Sequence, residues 1–147
     1  MDQQRHSVNL RKHGLVPTIQ RVAVLDFLEK NRIHPTAEEI YIGVKDRFPS
    51  LSKATVYNVL DALKHAGAVR ELTIARQAAR YDINTSLHPH FMCRVCGKVY
   101  DIDLPLSFHE GDIIDGHQVE SVQTYAYGVC ADCRKKANSD NTVEGYA

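Results

Sequence analysis

Ser50-Leu51-Ser52-Lys53-Ala54-Thr55-Val56-Tyr57-Asn58-Val59-Leu60-Asp61-Ala62-Leu63-Lys64-His65-Ala66-Gly67 decides the fold. The serines after Pro49 signal a helix start, and Gly67 is placed to end the helix near His65. Val56, Val59, Leu60 and Leu63 recur at helical spacing and mark an inward face. Lys53, Thr55, Tyr57, Asn58 and Lys64 then lie on the exposed face. Their hydroxyl, amide and cationic groups suit phosphates and base edges. A solvated face in a helical enzyme domain would show the same periodicity.

Upstream, a short helix is predicted before Gly14 and a second after Pro17-Thr18, with Thr18 as N-cap. Ile19, Val22, Leu25, Phe27 and Leu28 form the apolar side of the second. His34-Pro35-Thr36-Ala37-Glu38-Glu39 sets up a third helix, because Thr36 and Glu39 have capping-box spacing. Ile40, Tyr41, Val44 and Phe48 supply its buried side. Downstream, Ala68 to Ile74 and Ala79 to Ile83 have β character and are joined by Ala75-Arg76-Gln77-Ala78, which reads as a hairpin. Helices followed by a two-stranded ribbon form the pattern of a winged helix-turn-helix, whose last helix enters the major groove of double-stranded DNA.

The chain has 147 residues, room for one domain or two small ones, which excludes a large multidomain enzyme. Hydrophobic residues make up 44% and charged residues 24%, the composition of an ordinary folded protein. No apolar run approaches the roughly 20 residues of a membrane span, and the first residues lack a secretory apolar stretch. A cytoplasmic protein without a membrane partner is expected. The net charge is zero, yet 13 Lys and Arg stand against 9 Asp and Glu up to Thr85, and 5 against 9 after it. The first part can approach phosphates and the second repels them. A chance distribution of surface charge would also produce this asymmetry.

Asn84-Thr85-Ser86 interrupts the pattern. The expected organisation is therefore a DNA-binding domain over 1–83, a hinge at 84–86, a second domain over 87–136 and a flexible tail over 137–147. The second domain is too short to hold a large core without a staple. Strands are expected around Phe91, Val99 to Ile102 and Val119 to Tyr127, with a helix between Pro105 and Asp115.

All four cysteines fall in two identical pairs, Cys93-x-x-Cys96 and Cys130-x-x-Cys133, with 33 residues between them. Two thiolates on each of two tight turns complete a tetrahedron, which is the donor set of a closed structural Zn(II) site. The competing readings are a dithiol redox centre and a four-cysteine iron site. A thioredoxin-like centre needs its CxxC at the start of a helix in a βαβ unit, and neither pair is expected to have that setting. An iron site would be coloured.

A second cluster is His88-Pro89-His90, with Asp82 before it and Asp101 after it. Pro89 holds His88 extended, and residues two apart on an extended segment point to one side. Imidazoles joined by carboxylates suit Fe(II), Mn(II) or zinc. Two solvent-facing histidines would explain the motif equally well. His6, His13, His65 and His109 read as ordinary surface or core residues, and His117 as at most a ligand at an accessory site.

These pieces together resemble the ferric uptake regulator family of metal-dependent transcription factors, and most of all its peroxide-sensing branch. The marks are Pro17-Thr18-Ile19-Gln20-Arg21, His34-Pro35-Thr36-Ala37-Glu38-Glu39-Ile40-Tyr41, Ala54-Thr55-Val56-Tyr57-Asn58-Val59-Leu60, Arg80-Tyr81-Asp82, His88-x-His90, Cys93-x-x-Cys96-Gly97-Lys98 and Tyr127-Gly128-x-Cys130-x-x-Cys133. The resemblance implies an α+β chain with an N-terminal winged helix and a small C-terminal α/β domain that dimerises around structural zinc. It implies a regulatory Fe(II) or Mn(II) site at His34, Asp82, His88, His90 and Asp101. It adds Arg21 to the DNA-facing residues and makes His34 and His88 the imidazoles that peroxide oxidises. Aspartate at 82 and 101 resembles the peroxide-sensing branch, where iron-uptake regulators usually carry glutamate. Ser121-Val122-Gln123 departs from a histidine-containing stretch of the family, which speaks against an accessory metal site.

The function expected is thus a homodimeric, metal-dependent repressor that leaves operator DNA on peroxide exposure, and not an enzyme. The alternatives are an iron- or zinc-uptake regulator of the same family and a CxxC redox or electron-transfer protein. A metal-dependent hydrolase at His88, His90 and Asp82 lacks an identifiable general base.

Overall fold

Side-chain caps start the four helices of the amino-terminal part. Asp2 accepts from the Arg5 amide at 3.1 Å, Thr18 from Arg21 at 3.2 Å, Thr36 from Glu39 at 3.2 Å and Ser52 from Thr55 at 3.1 Å. Each bond satisfies an amide that the helix itself leaves without a partner. The computed structural model describes residues 2–140, with α1 at Gln3–Lys12, α2 at Ile19–Lys30, α3 at Ala37–Val44 and α4 at Lys53–His65. At Thr36 only the hydroxyl half of the capping box forms among the described residues, and Glu39 gives no reciprocal bond. Gly67 follows α4 at φ +79, a left-handed conformation that ends the helix where the sequence places its stop.

Val56, Val59, Leu60 and Leu63 of α4 pack with Leu25 and Leu28 of α2 and Ile40 of α3 into one core. Ile19 is an exception to the expected apolar side, being 67% exposed in the first turn of α2. Phe27, Tyr41 and Phe48 flank the core half-buried. Helices α2 and α3 meet at Gly43, where an added Cβ would lie 2.0 Å from the Phe27 ring.

Strands β1 (Arg70–Leu72) and β2 (Arg80–Asp82) pair antiparallel, with Glu71 opposite Tyr81. This is the wing. Its second strand also bridges back to the start of α3, through Thr36 opposite Arg80 and the Tyr81 amide on the Pro35 carbonyl at 3.0 Å. The first unit, a winged helix-turn-helix, ends at Ser86, and a second compact unit begins at Leu87.

In the second unit β3 (His90–Cys93) is the middle strand of a three-stranded sheet. It runs antiparallel to β4 (Val99–Asp101) and parallel to β7 (Tyr125–Gly128). The helix expected between Pro105 and Asp115 is absent. Asp115 at φ 51 and Gly116 at φ 81 instead form the two-residue turn of a small hairpin, β5 (Ile113–Ile114) with β6 (His117–Gln118). Asp-Gly with both φ positive is a hairpin connection, so turn chemistry overrides the helical reading. The strand expected from Val119 is confined to Tyr125–Gly128.

Helix α5 (Ala131–Asp140) enters four residues of the segment expected to be a flexible tail, and positions 141–147 of that segment lie outside the described residues. Apart from Ala131, Cys133 and Ala137 its residues are polar, so no apolar periodicity announces it. No helix among the described residues is long and apolar enough to cross a membrane.

Candidate metal centres and nucleic-acid interface

The sheet of the second unit delivers the cysteines. Parallel pairing sets Cys93, the last residue of β3, opposite Gly128, two residues before Cys130. The Arg94 amide binds the Gly128 carbonyl at 2.8 Å. The chain then turns, with Gly97 at φ +74 giving its amide to the Cys93 carbonyl at 2.9 Å, and re-enters the sheet as β4. Cys130 stands at the start of α5, where its sulfur accepts from the Cys133 amide at 3.5 Å.

One ligand sulfur from each of the four cysteines lies within 4.8 Å of the others, and Cys96 Sγ is 3.8 Å from Cys130 Sγ. Four sulfurs about 2.3 Å from a central zinc form a tetrahedron with edges of about 3.8 Å. A disulfide needs about 2.05 Å, and all four cysteines are free. Burial pushes the Cys93 thiol up, but the amides of Cys96, Cys130 and Val95 outweigh it and bring it down to about 6. The Tyr100 hydroxyl, with the Cys133 amide, lowers Cys130. Cys133, hydrogen-bonded to Cys130, is pushed up to about 12. The set therefore resists becoming four thiolates by itself, and a dication removes that resistance. The residues fit structural zinc.

Cys130-x-x-Cys133 opens helix α5, but no strand follows α5 among the described residues, so this pair does not stand in the βαβ setting of a thioredoxin-like centre. What also weighs against a dithiol centre is the gathering of all four sulfurs, which leaves neither pair isolated.

The histidine and aspartate residues form one group in each unit. In the first, His34 Nε2 lies 3.3 Å from an Asp82 oxygen, both side chains under a tenth exposed. His34 adopts φ 56, an uncommon conformation for a residue with a side chain. It is held there by Arg80, which donates to the His34 carbonyl at 3.3 Å, and by the bridge between β2 and the start of α3. Strained backbone of this kind clusters at functional sites.

In the second unit His90 is opposite Asp101 across the β3–β4 register. His88 Nε2 and His90 Nε2 approach the same Asp101 oxygen at 3.0 and 3.3 Å, and the two rings are 4.3 Å apart between centroids. Donor atoms about 2.1 Å from one ion are spaced about 3.0 to 3.4 Å when the angle between them is between square and tetrahedral. Both groups have that spacing. His117 lies exposed on β6 and belongs to neither group, while His6 is a core histidine 3.2 Å from Asp26.

On α4, Lys53, Tyr57, Asn58 and Lys64 are exposed and Thr55 is half-buried beside the Ser52 hydroxyl at 2.9 Å. Arg21 gives Nη1 to the Val16 carbonyl at 2.9 Å and so also secures the loop before α2. Sequence reasoning missed three side chains. Tyr100 meets Cys130, Glu38 holds Lys53 at 3.1 Å, and Glu71 holds Lys64 at 3.2 Å. No periodicity signals such pairs, which depend on how elements pack.

Comparison with known proteins agrees with this arrangement. Residues 12–127 match the model of the ferric uptake regulator family. The chain is 38% identical over 138 residues to the peroxide-responsive repressor PerR of Staphylococcus epidermidis, covering 88% of this chain and 89% of that protein. It is likewise 38% identical over 136 residues to the peroxide operon regulator of Bacillus subtilis, covering 88% and 91%. Among solved structures, the peroxide stress regulator of Campylobacter jejuni superposes with a TM-score of 0.60 at 31% identity, covering 88% and 95%. The ferric uptake regulator of Helicobacter pylori, at a TM-score of 0.67 and 22% identity over 89% and 90%, shares the fold. With a winged helix, a four-cysteine zinc site and this match over most of its length, the chain belongs to the ferric uptake regulator family of transcription regulators.

Proposed function

We propose that this protein is a homodimeric, metal-dependent repressor that releases operator DNA when hydrogen peroxide oxidises its regulatory site. The observation that carries it is the donor chemistry of the His-Asp groups, three imidazoles and two carboxylates with aspartate at both acidic positions. Relatives named for peroxide response support the same reading. DNA as the partner puts the protein's work in the cytoplasm.

His34 and Asp82, His88, His90 and Asp101 are the proposed ligands of one regulatory ion, drawn from both sides of a hinge at 84–86. Ligands contributed by both units make the ion prefer the closed arrangement. Moving a two-state equilibrium from 1:99 to 99:1 takes about 5.5 kcal/mol of differential affinity. Closure sets the two α4 helices of the dimer one helical turn, or a multiple of it, apart on a palindromic duplex. Tyr57, Asn58 and Thr55 then read bases while Lys53, Lys64 and Arg21 meet phosphates.

Held by these residues, Fe(II) would supply the redox catalysis by which peroxide oxidises a ligand ring, whereas Mn(II) would support closure without that chemistry. His34 and His88 are the rings that receive oxygen. One peroxide oxygen enters the imidazole and the other leaves as water. The oxidised ring is a poorer donor, the closed state loses its advantage, and DNA is released.

The test uses a duplex selected from a random-sequence library by the Mn(II)-loaded protein. Protein loaded anaerobically with Fe(II) is expected to lose that duplex after a brief peroxide pulse, with an added oxygen on His34 or His88, while the Mn(II) form keeps it. Retention in both forms would instead assign metal level as the signal, as in an iron- or zinc-uptake regulator.

A further inference from the structure

The surplus of positive charge in the first unit is not freely presented on its reading helix. Lys53, the first residue of α4, lies 3.1 Å from Glu38 in the first turn of α3, and 5.8 Å from the centroid of the Tyr41 ring one turn further along. Helix α3 thus holds the lysine with two side chains of one face. At the other end of α4, Lys64 lies 3.2 Å from Glu71 on wing strand β1. Both lysines of the reading helix are tied to carboxylates of the neighbouring elements. The Lys53–Glu38 pair is more than half exposed on both sides, so it contributes little to folding. A phosphate could replace the Glu38 carboxylate without unfolding anything, while Glu71 is less exposed and also meets Tyr81, its neighbour across the wing.

We propose that Glu38 and Glu71 are internal competitors of the DNA backbone: each occupies a reading-helix lysine that a phosphate must take over, so together they hold down the sequence-independent part of DNA affinity. This rests on the DNA-binding function proposed above. The chemistry follows from counterion release, in which each lysine newly committed to a phosphate steepens the dependence of affinity on salt. A lysine already paired inside the protein delivers less of that effect, and its displaced carboxylate then repels the phosphates. A repressor gains by this, because random DNA vastly outnumbers operators.

The test measures binding of full-length, Mn(II)-loaded protein to the selected duplex and to a random-sequence duplex of equal length across a salt series. Glu38→Gln is expected to tighten both by about three- to eightfold at low salt, the factor for removing one charge about 7 Å from a phosphate at an effective dielectric of about 40 to 80. The slope of log affinity against log salt should steepen by up to about 0.9. Glu71→Gln should act in the same direction through Lys64. Glu39→Gln is the control, since it removes the same charge from the same turn of α3 but has no ion pair to α4 among the described residues. An equal effect in Glu39→Gln would reduce the result to net charge and overturn the proposal. Weaker binding in Glu38→Gln would make the pair a device for positioning α4, which also overturns it. Wild-type protein that selects no duplex would defeat the DNA-binding reading itself, a result visible before any variant is made.

Discussion

Cys96→Ser separates a metal-built domain from one held by packing. Cys96 is exposed and serine nearly matches it in shape, so a packing account predicts a change within about 0.5 kcal/mol. The metal account predicts far more. Among the described residues of the second unit, the buried apolar side chains are Pro89, Cys93, Val99, Val122 and Cys130, and two of these five are zinc ligands. Burying Val99 and Val122 contributes about 3–6 kcal/mol together. A structural zinc contributes about 10–16 kcal/mol, so the ion stabilises this unit more than its apolar packing does. Cys96→Ser should therefore fall well below one zinc per chain after dialysis against a chelator. It should lose amide protection in β3, β4 and β7 while α2 and α4 keep theirs. The assay is zinc analysis paired with amide hydrogen exchange resolved by segment. Zinc-free Cys96→Ser with native protection across the sheet would refute the reasoning.

Tyr57→Ala, which removes an exposed aromatic from α4, should weaken duplex binding by about 1 kcal/mol or more with zinc content and dimer mass unchanged; unaltered affinity takes Tyr57 out of the interface. Asp101→Glu is expected to keep Mn(II)-dependent binding and lose peroxide sensitivity, read as added oxygen per chain, and full oxidation would leave the aspartate without a role in sensing. Burial raises the Asp26 carboxyl, but Lys30 and His6 outweigh it and hold its pKa below the ordinary value. The stabilisation is thus present above about pH 4 and disappears as pH falls through the depressed value. Denaturant titrations should accordingly find Asp26→Asn less stable than wild type at pH 7, with the gap closing in acid, and a gap that widens there would reverse the sign. Gly43→Ala gains up to about 1 kcal/mol of helix propensity but drives a Cβ into the Phe27 ring, an overpacking cost of about 1–3 kcal/mol. A lower melting temperature is expected, and a higher one would show that the ring swings away freely.

The helices of the first unit were legible because two independent signals coincide there. Thr18, Thr36 and Ser52 cap where the apolar period begins, and the four inward residues of α4 are all buried. The second unit was legible in its ligands and not in its elements. Cysteines at fixed spacing keep their meaning without periodicity, whereas Asp115-Gly116 was swallowed by a helical reading and α5 has no apolar face to detect. The His34–Asp82 contact was out of reach of spacing alone, since it depends on β2 pairing back onto the start of α3. Family resemblance supplied that pair, and the wing supplies its physical reason.

The two donor sets also explain how one small protein can keep two metals apart. Four thiolates at the ends of β3 and β7 form a soft, closed site that favours zinc and leaves no position for substrate. Imidazole and carboxylate groups form a harder set, suited to Fe(II) and Mn(II). Their basis in the structure differs as well. The sulfurs are fixed by one sheet and one helix start within a single unit, so the zinc they hold is part of the fold. The proposed regulatory ligands come as two groups on two units, so an ion that bound both would report on a state that can change. On the proposed function, peroxide chemistry at the second set would alter DNA binding while the zinc-held sheet stays intact. That separation requires peroxide to spare the cysteines. An iron-loaded sample that has released its duplex should still hold one zinc per chain, and zinc loss at the same rate as duplex release would move the sensor to Cys93, Cys96, Cys130 and Cys133.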